Sequence, residues 1–184
     1  MEWWNESTAL WGKHRTSSMT LSERVDYQHT LSAQFPAAPI RVVYTKSGTR
    51  LTAGVVLDGS AVIDHALYWA PVAGMDEARY LQTVLNAAVT QAEVEPYQSR
   101  GQQGARHYDM YVWQLPIPRF DGSSELHAEL VELGRGAEDV AADVDVSGVG
   151  FQAGRTRVRK ELDAAGLSED MEDQVARLLG VERV

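Results

Sequence analysis

The side chains best suited to recognising a polar surface are concentrated in one short segment, PYQSRGQQGARH, residues 96–107. Its polar and basic residues are Gln98, Ser99, Arg100, Gln102, Gln103, Arg106 and His107, set around two glycines. A loop that is polar only for solubility would more commonly use Lys and Glu. Arg and Gln have planar groups that form paired hydrogen bonds with guanine and adenine edges, and glycine lets the backbone approach a partner closely. The composition therefore favours contact with bases over a plain surface loop.

Two further cations, Lys46 and Arg50, flank the predicted turn in TKSGTR. Turn formation accounts fully for Ser47 and Gly48. The two cations are equally compatible with a solvated turn and with contacts to DNA phosphates. We include both as candidate DNA-binding residues.

The sequence contains no pattern that predicts chemistry by this chain alone. It has no cysteine, and its five histidines form neither an HxH nor an HExxH pair, so we expect no metal site. The segment DVSGVGFQAG has GxGxxxG spacing, one residue too long for dinucleotide binding, and Gly154 stands where a calcium loop needs glutamate. GxSxG, P-loop and Asn/Asp-Pro-Pro-Tyr/Phe segments are absent from the sequence. We therefore expect no catalytic residue and no cofactor.

The acidic charge is concentrated in the last third of the chain. Of the net charge of -9 over 184 residues, residues 1–119 carry -1 and residues 120–184 carry -8. The first part can therefore dock on a polyanion, although the charge of the whole chain argues against tight non-specific DNA binding. No segment is apolar for the length of a membrane span, and the first residues lack the pattern of a signal peptide. We expect a cytoplasmic protein without membrane contact.

The order of the predicted elements places the polar loop between a helix and a strand. The pattern predicts an α+β fold with a small mixed β-sheet and a long amphipathic helix, followed by a helical C-terminal part. The predicted strands are RVVYT, LTAGVVL, HALYWAP and, after the loop, DMYVWQL. The long helix is predicted over residues 75–94, with Ala78, Leu81, Leu85, Ala88 and Ala92 at helical spacing. A rigid strand would then support the loop.

Further helices are predicted near residue 20 and after residue 121. Thr20 or Ser22 is expected to cap the first, Ser123 or Ser124 the second, and Ser168 the last. Two groups of side chains are expected to have structural roles. Aromatic residues that alternate on strands usually pack in or beside a sheet, which we expect for Tyr68, Trp69, Tyr111 and Trp113. A basic helical stretch is usually solvated and paired with nearby acids, which we expect for Arg155, Arg157, Arg159 and Lys160.

The order of these segments resembles the target-recognition region of adenine-N6 DNA methyltransferases of fused type II restriction–modification enzymes. Type I restriction specificity subunits share a looser version. The resemblance is carried by LYWAPV, DEARYLQTVLNA, PYQSRGQQGARHYD, YVWQLPIPRFD and LHAELVELG. It covers roughly residues 20–140, and its specific part runs from Ala78 to Phe120. In relatives, a basic residue often stands where this chain has Met110.

The resemblance implies sequence-specific recognition of double-stranded DNA for a methyltransferase catalytic domain or subunit, which flips the target adenine. The loop residues that it implies as base or phosphate contacts are Gln98, Arg100, Gln102, Gln103 and Arg106. It implies only structural roles for Leu115, Pro116 and Pro118. The family's SAM-binding and catalytic motifs would lie upstream, and this chain lacks them. The expected organisation is an aromatic segment 1–19, a target-recognition-like domain 20–120 and an acidic helical part 121–184.

Two other functions remain open. In the first, a protein-interaction module, the acidic helices 121–184 would pack on a methyltransferase subunit or on a second copy of the chain. That module requires the stripe of Leu126, Leu130 and Leu133 to be exposed in the monomer. A small-molecule enzyme would require a deep pocket with converging ionisable groups, and no motif in the sequence predicts one.

Overall fold

The computed structural model of the chain describes residues 1–98, 100–101, 104–105, 107–108 and 110–182. The helices of this part are α1 Glu2–His14, α2 Leu21–Val25, α3 Met75–Asn86, α4 Ala88–Val94, α5 Glu125–Asp143, α6 Phe151–Ala164 and α7 Leu167–Leu179. Its strands are β1 Arg41–Thr45, β2 Ala53–Val56, β3 Leu67–Pro71, β4 Arg100–Gly101 and β5 Gly104–Ala105. The predicted α+β class is confirmed, and so are the three strands predicted between residues 41 and 71.

The main sheet has three strands in the order β2-β1-β3, with Val42 of β1 opposite Val55 on one side and Ala70 on the other. The predicted mixed sheet was wrong, because both pairings are antiparallel. A short turn joins β1 to β2, and the connection to β3 contains no helix that could return the chain for parallel pairing. Val42 and Tyr44 of the central strand are buried and form the base of the first core cluster.

Two amide side chains cover the outer edge of β2. Asn86, at the end of α3, accepts a hydrogen bond from the Ala53 N–H and donates one to the Ala53 carbonyl, both at 3.0 Å. Gln91 of α4 accepts a hydrogen bond from the N–H of Leu51 at 3.0 Å. These amides satisfy backbone groups that a neighbouring strand would otherwise satisfy, and they fix both helices beside the sheet.

The single helix predicted over residues 75–94 was wrong, because the chain leaves helical geometry at Ala87 (φ -67°, ψ 140°). The break is held by side chains that replace the lost helical hydrogen bonds. Glu172 of α7 accepts hydrogen bonds from the N–H groups of Ala88 and Val89 at the start of α4, and the Thr90 hydroxyl donates to the carbonyl of Val84. A carboxylate on these free N–H groups suits a helix N-terminus.

The strand predicted for DMYVWQL was also wrong, because Tyr111–Gln114 form a 3-10 turn. The N–H of Tyr111 donates to the Tyr108 carbonyl and that of Trp113 to the Met110 carbonyl, both at 3.1 Å. The segment thus satisfies these backbone groups locally and needs no strand partner. Val112 is buried, and the Trp113 ring meets the Tyr44 ring edge-on at 5.6 Å. Tyr68, Trp69 and Tyr111 are half-buried as predicted, whereas Trp113 is 39% exposed although its ring contacts Tyr44.

Helices α5 and α7 pack on α3 in a second core cluster that includes Tyr80, Val84 and Leu130. The Thr83 hydroxyl of α3 donates to the Leu130 carbonyl of α5 at 3.1 Å. Leu130 is fully buried, and Leu126 and Leu133 are half-buried. The predicted leucine stripe therefore belongs largely to the core, and it does not form the exposed surface that the interaction module required.

The predicted helix starts at Thr20 and Ser124 are confirmed: Thr20 forms a capping box with Glu23, and the Ser124 side chain accepts a hydrogen bond from the His127 N–H. The expected Ser168 cap was wrong. Gly166, in left-handed conformation at φ 75°, precedes α7 instead, since glycine adopts this geometry without a steric cost. None of the described helices combines the length and the apolar character needed to cross a bilayer.

Candidate nucleic-acid interface

The structure brings the basic turn, which we define as residues 46–50, beside the C-terminal end of the polar loop. Ser47 forms an isolated antiparallel bridge with His107, and the N–H of Tyr108 donates to the Lys46 carbonyl at 2.9 Å. The Tyr108 side chain is buried in the core beneath this junction. Segments separated by about 60 residues in the sequence are thus fixed side by side.

The two cations of the turn are available to a partner. The Lys46 ammonium lies 5.5 Å from the centre of the Tyr68 ring, and Arg50 is exposed. The ion pairs found within the described residues involve neither of them. Tyr68 positions the Lys46 ammonium without neutralising its charge.

Gln98 points into the protein, although it was predicted to contact DNA. Only 8% of the residue is exposed, and its side chain hydrogen-bonds with that of Tyr108. Burial raises the pKa of the Tyr108 hydroxyl, and the side-chain hydrogen bond with Gln98 opposes that shift. In this position the amide faces the buried Tyr108 and is not presented to a duplex.

The other loop residues are placed only in part. The backbone of Arg100 belongs to β4 and pairs with Ala105 of β5, so the loop includes a short hairpin. The predicted contacts Gln102, Gln103 and Arg106 lie outside the described residues.

Helix α6 adds cations next to the basic turn. Arg155 donates from Nη2 to the Thr52 hydroxyl oxygen at 2.7 Å. The pKa of Arg159 is lowered, first by burial and then by the nearby charges of Arg50 and Arg155, while Asp163 acts in the opposite direction. These arginines therefore form one positively charged group with the turn.

The sequence had suggested instead that the basic stretch of α6 would pair with acidic neighbours. Within the described residues, none of its four cations takes part in an ion pair, and Arg157 donates to a backbone carbonyl, that of Asp145, at 2.9 Å. The four-residue spacing of Arg155 and Arg159 places both on one helix face, but nothing local indicated that this face meets Arg50.

Elsewhere in the described part of the chain, the ionisable groups do not form a metal site. Groups of three or more His, Asp or Glu residues able to hold a metal ion were not found among the described residues. His65 lies 3.3 Å from Asp64 and both are exposed, as in a simple surface pair. A cavity of about 840 Å3, which no sequence motif predicted, does lie between α3, α5, α6 and α7.

Comparison of the chain with protein-family models, with curated proteins and with solved structures gave no match.

Proposed function

We propose that this chain recognises a target sequence in double-stranded DNA for a methyltransferase catalytic domain or subunit, and that it supplies no chemistry itself. The junction of the basic turn with the polar loop carries the proposal, through the bridge of Ser47 with His107. Phosphate contacts fix the register of a protein on a duplex, and contacts with base edges provide specificity. Lys46 and Arg50 suit contacts with phosphates. Arg100, Gln102 and Gln103 suit contacts with base edges.

The charge distribution supports weak binding by the chain alone. Lys46, Arg50, Arg155 and Arg159 form a small basic group in a protein of net charge -9. Few phosphate contacts give modest affinity at physiological salt, so most of the binding energy would come from the catalytic partner. This function would place the protein in the cytoplasm, with the DNA of a restriction–modification system.

Helix α1 offers a surface for such a partner. None of its residues is buried, and Trp3 and Leu10 are 71% and 60% exposed. Trp11 anchors the helix by donating from its indole N–H to the Met19 carbonyl at 2.8 Å. Large aromatic residues exposed on a fixed helix are typical of protein interfaces.

The same surface favours a second candidate function, a protein-interaction module without DNA contact. Its binding face would be α1. The helices after residue 121 are the less suitable face, since Leu126 and Leu130 pack in the core.

Selection from a randomised duplex library at low salt tests both candidates, with the full chain alone and with an adenine-N6 methyltransferase catalytic subunit that copurifies with it. We expect enrichment of one short motif. Binding without any motif would leave a phosphate-binding scaffold. A stable protein complex that binds no DNA would favour the interaction module.

Charge variants make the same experiment specific to the proposed surface. Lys46→Ala and Arg50→Ala should weaken binding to all sequences, whereas Arg177→Ala should not. Arg177 is an exposed arginine of α7 beside Glu129 and serves as a charge-matched control.

A further inference from the structure

A cavity beside the basic turn and α6 has mainly apolar walls. It measures about 840 Å3 and is bounded by α3, α5, α6, α7 and the residues that lead into β2. Its apolar wall includes the side chains of Ala137, Ala141, Val158, Leu162 and Met171. Pockets for small molecules typically measure about 300–1,000 Å3. The size and lining therefore fit a molecule with a substantial apolar body.

Two of the carboxylates that line this cavity already bind other groups of the protein. Glu138 forms an ion pair with Arg79 at 2.9 Å, and Glu172 holds the first N–H groups of α4. Neither is free to bind a cationic ligand. The third carboxylate of the lining, Asp163, is exposed on α6 and acts on Arg159.

The arginines that line the cavity, in contrast to two of its carboxylates, are not held by ion pairs among the described residues. Arg50, Arg155 and Arg159 line one part of it, and the ion pairs of the described residues include none of the three. The Arg155 guanidinium is positioned by Thr52 and by the ring of Phe151, whose centre lies 5.4 Å away. Asp163 is the carboxylate that acts on Arg159, while Glu138 is paired with Arg79 and Glu172 is held at the start of α4, so the three arginines concentrate positive charge at one part of an apolar wall.

We propose that this cavity binds a long-chain aliphatic anion, with the chain between α5 and α6 and the anionic head group at Arg50, Arg155 and Arg159. Aliphatic walls suit an acyl chain, because burial of each CH2 group is favourable. Guanidinium groups form paired hydrogen bonds with carboxylates and phosphates. The site does not depend on the DNA function, although Arg50, Arg155 and Arg159 belong to both surfaces.

Binding of dodecanoate to the full chain tests the proposal, measured by displacement of the fluorescent probe 11-(dansylamino)undecanoate. We expect one dodecanoate per chain and no displacement by dodecyltrimethylammonium, which has the same chain and the opposite charge. Inorganic phosphate should displace the probe only weakly, because it lacks the chain. Equal displacement by the cation, displacement by phosphate as strong as by dodecanoate, or no binding of the probe would overturn the proposal.

Two variants locate the site. Ala141→Phe places a ring in the cavity and should abolish binding, whereas Ala128→Phe, exposed on the same helix outside this cavity, should leave binding unchanged. Arg159→Gln removes the positive charge but keeps a polar side chain, and it should weaken dodecanoate binding about tenfold. Circular dichroism checks the fold of each variant. If Ala141→Phe does not fold, Val158→Phe replaces it. Unchanged affinity in a folded cavity variant and in Arg159→Gln would place the ligand elsewhere and overturn the proposal.

The same preparations separate this proposal from the DNA function. Duplex binding is measured without dodecanoate, and dodecanoate binding without DNA. If the chain binds dodecanoate but not DNA, or DNA but not dodecanoate, only the corresponding proposal fails.

Discussion

Thr83 of α3 lies directly against Gly134 of α5. A β-carbon added at Gly134 would come 2.6 Å from the Thr83 hydroxyl oxygen and 3.2 Å from the Arg79 carbonyl oxygen. Because the Thr83 hydroxyl also donates to the Leu130 carbonyl, it cannot move away without losing a buried hydrogen bond. The glycine therefore sets how closely the two central helices approach.

Gly134→Ala should consequently destabilise the protein, even though alanine favours helix formation. We expect a loss of about 1–3 kcal/mol in the free energy of unfolding, typical of overpacking in a core. Gly136→Ala is the matched control on the same helix, since its new β-carbon would meet Leu167 at an ordinary 3.5 Å. That variant should gain up to about 1 kcal/mol. Urea unfolding measures both, and equal stabilities would contradict the close contact.

Glu172 should stabilise the junction of α3 and α4 from a distance of more than 80 residues. Its carboxylate accepts hydrogen bonds from the Ala88 and Val89 N–H groups, so Glu172→Ala leaves both donors without their partner. The expected loss is about 1–2 kcal/mol, as for other helix caps. Glu161→Ala removes an exposed glutamate of α6 and should change stability little. The prediction fails if thermal unfolding is affected equally by the two substitutions.

Asp26 should make the stability of the protein sensitive to acid. Hydrogen bonds from Ser32, together with the Leu31 N–H, lower the pKa of its carboxyl group from an ordinary value of 3.8 to about 2. A lowered pKa in the folded state contributes stability that is present above pH 4 and is lost as the pH falls through 2. Asp26→Asn should therefore be less stable than the wild type at neutral pH, and the difference should shrink as the pH falls from 4 to 2.

Urea midpoints between pH 2 and pH 7 measure this effect. Asp139→Asn, an exposed aspartate of α5, provides the comparison for loss of one negative charge. A constant difference between wild type and Asp26→Asn over the whole range would show that the carboxylate makes no pH-dependent contribution.

The DNA proposal predicts different defects for the turn and for the loop. Arg50→Ala should weaken binding to duplexes of every sequence. It should also reduce the slope of log affinity against log salt concentration by about 1, as expected for one lost phosphate contact. Arg100→Ala and Gln102→Ala should instead change the preferred sequence of the assembled enzyme. Motif selection at two salt concentrations distinguishes these results. Unchanged preference in both loop variants would refute their assignment to base recognition.

Elements with a clear local pattern were predictable from the sequence. The leucine spacing of α5 and its Ser124 cap lie within one continuous stretch, and the short β-branched segments identified β1 to β3. The break at Ala87 was not predictable, because it depends on Asn86 binding Ala53 and on Glu172 reaching α4. These two hydrogen bonds join residues that are 33 and 84 positions apart in the sequence, and helical periodicity contains no information about such contacts.

The candidate interface was likewise predictable from the sequence only in part. Composition alone indicated the polar loop and the basic turn, since each is a short segment with distinctive side chains. Their contact through Ser47 and His107, and the approach of Arg155 to Thr52, arise only when the chain is folded. The inward position of Gln98 likewise depends on Tyr108, which the loop sequence could not place in the core.

The amide pair on β2 has a consequence for the behaviour of the protein at high concentration. An open strand edge is a template on which strands of other molecules can add, and such pairing leads to aggregation. Asn86 already occupies both backbone groups of Ala53, and Gln91 occupies the N–H of Leu51. The residues that dock the helices therefore also protect the start of this edge from association with a second sheet.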